Sequence, residues 1–202
     1  MFCVIAISQL LTKVNRQYLD YEIISKYLIY RRARHPSGTC FITVNLLQRQ
    51  GSELLTALAH TFRQVVRSVK PCHPVVIDIW VVLHEHLHCV IELPPGDADF
   101  ALLWRLIKMG FSKSLPATKR RSKVRQMRGE RGIWQRRFGE QLICNEADYR
   151  AHMDYVHFNP VKHGLVSQVC DWLYSTFHRL VQEGVYPHDC ADGNERNLAY
   201  VD

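Results

Sequence analysis

The chain has 202 residues, 47% of them hydrophobic and 22% charged, and its 26 Lys and Arg exceed its 19 Asp and Glu for a net charge of +7. That length fits one domain with tails, and that composition excludes a disordered chain. The charge predicts a polyanionic partner, nucleic acid or an anionic surface.

The start, Phe2-Cys3-Val4-Ile5-Ala6-Ile7, is apolar but short and lacks a basic flank, so neither a signal peptide nor a membrane span is expected. Seven cysteines, with no Cys-x-x-Cys pair, predict reduced packing thiols rather than a disulfide framework or zinc ribbon. Residues 1–29 read as an extension with one or two short helices, followed by the basic stretch Tyr30–Pro36.

Thr39–Leu46 is β-branched and aromatic and predicts a strand. Helical spacing of Leu54, Leu55, Leu58, Phe62, Val65 and Val66 predicts one helix over 52–69, capped by Ser52. Val75–Leu93 is too long for one ordinary strand and predicts two, turning near His84-Glu85. Asp97 is the expected cap of a helix carrying Phe100, Leu103, Trp104, Ile107 and Phe111 on one face. A basic connection over 116–137 leads to a strand expected over 133–143. A helix from Asn145 or Glu146 is expected to stop before Pro160, because residues preceding proline avoid helical geometry. A last helix is expected near 174–182, then a loose polar tail from about 189. The order is βαββαβ with added C-terminal helices, which predicts an α+β ferredoxin-like sandwich on a central antiparallel sheet.

Two sets of residues carry chemistry. His86 and His88 are two apart on a predicted strand, so both face one side and can share a metal ion. The plainer reading is a pair of hydrogen-bonded histidines at a strand end. Tyr155 and Asn159 are four apart on a predicted helix and share a face, with His152 on the same side. A phenol with an ordinary pKa of about 10 is a weak nucleophile until its electrophile is polarised. The Asn159 amide oxygen can serve as a third ligand beside two imidazoles. The plainer reading here is an interfacial tyrosine and a helix-ending Asn-Pro.

Taken together, these residues sit in longer stretches that resemble the REP-associated tyrosine transposases, single-tyrosine members of the HUH endonuclease superfamily. The matching stretches are Tyr30–Arg34 with Phe41–Leu47, Val82–Cys89, Leu93–Phe100, Gly129–Phe138 and Asp154–Val166, covering roughly 30–188. The resemblance implies an HUH-type fold, with His86, His88 and Asn159 as metal ligands and Tyr155 as nucleophile. It implies cleavage of single-stranded DNA at hairpins from repetitive extragenic palindromes, a 5′-phosphotyrosine link and a free 3′-OH. The implied metal is Mg²⁺ or Mn²⁺, although two imidazoles favour Mn²⁺ or Zn²⁺ on ligand chemistry alone. A bacterial cytoplasmic, nucleoid-associated protein, monomeric or homodimeric, would follow. The residue readings leave two alternatives: a hairpin-binding protein without chemistry, and a metal-dependent hydrolase without a covalent step. Three positions depart from the family pattern. His84 replaces a proline, Gly139 a tryptophan and Gln141 a histidine, and a lost buried tryptophan at 139 would leave a costly hole.

DNA contacts are expected from Arg31, Arg32, Arg34, Lys119, Arg120, Arg121, Lys123, Arg125, Arg128, Trp134, Arg136 and Arg137. Residues 119–137 hold nine basic residues and one acid, so this segment carries +8 and the remainder −1. A charge concentrated between the two halves of the site suggests a DNA-guiding arm.

Overall fold

The computed structural model describes residues 38–116 and 123–186. β1 (Thr39–Asn45) is followed by α1 (Leu54–Ala57), α2 (Ala59–Val69), β2 (Val76–Val82) and β3 (His86–Glu92). Then come α3 (Phe100–Ser114), the short α4 (Lys123–Met127), β4 (Gly139–Leu142), α5 (Glu146–Lys162) and α6 (Phe177–Gln182). The sheet order is β2-β3-β1-β4 with every pair antiparallel, the order that a βαββαβ chain produces. The α+β sandwich read from the sequence is therefore the fold. The expected N-terminal helices, Arg31, Arg32, Arg34, Lys119, Arg120, Arg121 and the tail from 187 lie outside the described residues.

Both faces of the sheet are buried, which is why β3 reads as an almost continuous apolar run after its histidines. Cys40, Ile42, Val44, Leu87, Cys89 and Ile91 pack against Phe62 and Val66 of α2 and Leu103, Trp104, Ile107 and Phe111 of α3. The alternate positions Phe41, Ile79, Val81 and Val90 pack against Val156 of α5 and Trp172. His86 and His88 belong to this second face by strand parity. Among the described cysteines, Cys40, Cys89 and Cys170 are buried, Cys72 and Cys144 exposed, and none is bonded to another. No helix among the described residues is long and apolar enough to cross a membrane.

Gly110 lets α3 lie close on α2, since a Cβ there would fall 2.7 Å from Cγ1 of Val65. Gly110→Ala is therefore expected to cost about 1–3 kcal/mol through overpacking. Urea denaturation at constant slope measures it.

Several boundaries differ from expectation. The helix expected from Ser52 is two pieces that break at Leu58, and Glu53, not Ser52, holds the N-cap position without a side-chain bond. The His84 carbonyl instead accepts the Leu55 amide at 3.1 Å, so the β2–β3 turn satisfies a donor that a cap would have served. Asp99, rather than Asp97, caps α3 by accepting the Leu102 amide. The strand expected over 133–143 is paired in full only at Gly139–Leu142. Upstream, Leu47 donates to Ile133 and Gln135 to Asn45, after which the exposed Arg136 and Arg137 loop away. α5 runs through Pro160, which is buried, and closes with His163 donating to Asn159 at 3.0 Å. Proline removes only one amide there, near the end of a helix held down by its packing. Residues 174–176 are not helical. They lie along β2, with Val82 donating to the Tyr174 carbonyl and Thr176 to that of Trp80.

Candidate active site

β3 delivers His86 and His88 side by side, with ring centroids 4.9 Å apart, and both are buried. Each has its Nδ1 engaged. Thr43 Oγ1 lies 2.8 Å from Nδ1 of His88, and Glu85 Oε1 lies 3.2 Å from Nδ1 of His86. An ionised carboxylate only accepts, so we assign the His86 proton to Nδ1. The same assignment for His88, with Thr43 accepting, leaves both Nε2 lone pairs available. Arg49 holds Glu85 from the other side at 3.9 Å. Burial pushes His86 down to about 4, with His163 and Arg49 adding to the effect against the opposing pull of Glu85. Burial, then the charges of His86 and His163, lowers His88 as well. Both imidazoles are therefore neutral at pH 7, the form that binds a metal.

α5 brings the second set. The Tyr155 ring stands edge-on to His88 at 5.2 Å and to Phe41 at 5.8 Å. Two turns on, the His163 ring lies 5.4 Å from His86. Asn159 falls midway between these contacts on the same helical face, so it is bracketed toward the histidine pair. Its Oδ1 and Nδ2 are both buried and meet no hydrogen-bond partner. An orphaned buried amide is costly, and its presence beside two neutral imidazoles fits a metal-ligand set. Among the described residues no group of three His, Cys, Asp or Glu gathers as a metal site. Lys162 places its ammonium 5.5 Å from the Tyr155 ring centroid.

Thr43→Val removes the acceptor for His88 without changing shape. Loss of such an outer partner is expected to weaken Mn²⁺ binding about 10–100-fold. Titration calorimetry reads the change directly.

Other expected participants have other roles. His152 is buried beneath the site, with Nδ1 on the Asp148 carbonyl at 2.8 Å and its ring on Phe41 at 4.7 Å. His84 does not join the pair. Its Nδ1 meets Thr56 Oγ1 at 2.7 Å and its ring meets Trp172, so it ties the β2–β3 turn to α1. Gly139 leaves no hole in the core, because it is part-exposed on an edge strand. Trp134 corrects the expectation of a base-stacking surface. It is buried against Phe62 and Phe111, and Nε1 donates to the Lys108 carbonyl.

Lys123, Arg128 and Arg137 are exposed, and Arg136 grips Glu130 at 2.8 and 3.1 Å. Arg125 lies 3.9 Å from the same carboxylate. Arg131 donates to the Ser112 carbonyl at 2.6 Å and so anchors the basic segment to α3. Lys108 does the same, donating to the Gln135 carbonyl at 3.0 Å, and burial lowers its pKa to about 8. A lysine in the otherwise apolar stripe of α3 was the only signal for this anchor in the sequence.

Sequence reasoning also missed a polar relay behind the site. His157 Nδ1 meets the Tyr186 hydroxyl at 3.1 Å, its Nε2 meets Thr176 Oγ1 at 3.0 Å, and Tyr186 donates to Asp154 at 3.2 Å. This clamps α5 to the segment around α6 and sets the position of the tyrosine helix.

No family model matches the chain. It is 47% identical over 162 residues to the REP-associated tyrosine transposase of Escherichia coli K12, covering 80% of this chain and 90% of that one. A Haemophilus influenzae protein given the same family name is 38% identical over 161 residues, covering 79% of this chain and 91% of the relative. A solved structure of the REP-associated tyrosine transposase bound to a REP hairpin superimposes with a TM-score of 0.68 at 44% identity, covering 86% of this chain and 96% of that one. With the histidine pair, the tyrosine helix and the sheet order all in place, the chain belongs to the REP-associated tyrosine transposase family.

Proposed function

We propose that the chain is a metal-dependent transesterase that cuts single-stranded DNA beside a REP-type hairpin, with Tyr155 as nucleophile. The observation that carries this reading is the Tyr155 ring packed on His88 in the same chain, with the orphaned Asn159 amide one turn further on. The hairpin comes from the solved relative, which is bound to one. The catalytic unit spans about 30–188 and works in the bacterial cytoplasm, on nucleoid DNA.

In the reaction, Tyr155 Oη forms a bond to the scissile phosphorus as the bond to the 3′-oxygen breaks. The phenol proton passes to water, and water protonates the leaving 3′-oxygen. The product is a 5′-phosphotyrosine and a free 3′-OH, so the phosphodiester bond energy is kept for rejoining. His86, His88 and Asn159 would hold a divalent ion, Mg²⁺ or Mn²⁺, which would supply Lewis acidity at the phosphate. Thr43 and Glu85 keep the two imidazoles turned toward it.

A labelled hairpin with an unpaired flank, incubated with Mn²⁺ and run on a denaturing gel, tests the reading. A labelled protein band that needs the divalent ion is expected. Binding with no such band would favour a hairpin-binding protein without chemistry.

The basic segment grips phosphates. Hairpin binding is expected to weaken with salt at a slope of about −0.7 to −0.9 per phosphate contacted. Alanine at Lys123, Arg128 and Arg137 together should flatten that slope by about two to three units. A slope that stays the same removes these residues from the interface.

A further inference from the structure

The basic segment carries more than charge. Residues three and four apart lie side by side on a helix, so Lys123, Val124, Met127 and Arg128 form one face of α4. Two apolar side chains there stand between two cations. Met127 is 88% exposed, the most of any large hydrophobic among the described residues, and Val124 is 54% exposed. Lys123 and Arg128 are exposed as well. Arg125 turns away from this face, toward Glu130 at 3.9 Å. No acid occurs from 123 to 128.

A lone exposed methionine is ordinary. This one is held out on a fixed mount. The Glu130 amide donates to the Arg125 carbonyl at 2.8 Å, and the Gly129 amide to that of Gln126 at 3.0 Å. Such a closed helix end needs a left-handed residue just past the cap, which Gly129 supplies at φ 67°. The next position usually folds an apolar side chain back on the helix. Here it is Glu130, which pairs with Arg125 and Arg136 and leaves Val124 uncovered. Arg131 then ties the turn to the Ser112 carbonyl of α3.

Exposed apolar side chains gain by meeting an apolar partner. Cations on both sides call for a partner that is anionic at its edges and apolar within. A nucleic-acid duplex has that make-up, with phosphates outside and stacked bases between them. Proteins that kink DNA insert apolar wedges, methionine among them, between base steps. An anionic membrane has a related make-up, but binding there scales with buried apolar area, and a five-residue helix offers little.

We propose that α4 is a wedge for the hairpin stem. Met127 enters the base stack at one step, Val124 packs on the base exposed there, and Lys123 and Arg128 hold the phosphates on either side. The inference rests on the hairpin reading above and adds to it an apolar contact that salt does not weaken. It concerns binding and not the covalent step.

The test uses the full chain and hairpins carrying 2-aminopurine, an adenine analogue that brightens when it unstacks, at successive stem positions. One position should brighten on binding. Met127→Ala should remove that rise and weaken hairpin affinity about tenfold, the worth of one buried methionine side chain, without changing the salt slope. Met127→Leu should keep the rise and hold affinity within about twofold, since the two side chains are close in volume. Lys123→Ala is the contrast: it should lower the salt slope by about 0.7–0.9 and keep the rise. Unchanged hairpin affinity in Met127→Ala overturns the wedge, including where that variant instead loses self-association or binding to phosphatidylserine vesicles. Lost affinity with no brightening position overturns insertion as well. An unaltered chain that does not bind the hairpin overturns the hairpin reading itself. Binding with brightening but no Tyr155 adduct upholds the wedge and overturns only the cleavage reading.

Discussion

Tyr155→Phe is expected to abolish the covalent protein–DNA adduct, a loss of more than about 10³-fold, as removal of a nucleophile does. Hairpin affinity should stay within about twofold, because the ring and its neighbours remain. His88 at 5.2 Å and Phe41 at 5.8 Å pack against ring carbons, and Lys162 interacts with a π-face that phenylalanine also presents. Stability should change by less than about 1 kcal/mol, as a single part-buried hydroxyl contributes little net. The combined readout of adduct, affinity and melting separates a nucleophile from a packing residue. Cleavage that survives the substitution would instead point to an activated water, with the histidine pair serving a hydrolase.

Asn159→Leu should move stability and activity in opposite directions. The amide is buried, with both polar atoms lacking partners, and each such group costs about 1–3 kcal/mol. Leucine keeps the branched outline and removes the cost. In EDTA the variant is expected to be more stable by about 1–3 kcal/mol. Adduct formation should fall by more than about 10²-fold, since an outer partner of a ligand already accounts for 10–100-fold. The rise in melting temperature that Mn²⁺ gives the unaltered chain should also shrink, because binding to the folded state alone is what produces it. A variant less stable in EDTA would mean that the amide serves the fold rather than a ligand.

The sheet and its two faces were legible in the sequence because strand parity and helical spacing are local. Cys40, Ile42 and Val44 face one layer, and Phe41 and Thr43 the other, as alternation requires. His86 and His88 were legible for the same reason. What failed depended on distant partners. Ser52 looked like a cap, but the donor it would have served goes to His84 across the turn. Pro160 looked like a stop, yet the packing of α5 carries the helix past it. Trp134 sits in a basic stretch that suggests a surface, while its ring reaches Phe62 and Phe111 in the core. The orphaned state of Asn159 and the Thr43 contact to His88 are properties of three dimensions, and no spacing rule yields them.

The strip at 174–176 has a consequence for how copies of the chain meet one another. A sheet's outer strands offer unpaired amides and carbonyls that can template pairing with another chain. Along β2 that offer is withdrawn from Asp78 to Val82, where Tyr174, Thr176, Trp172 and Arg179 occupy the main-chain groups. At the opposite border β4 is only four residues long. One border is thus covered and the other is short. The sheet that carries the histidine pair is thereby guarded against edge-to-edge aggregation.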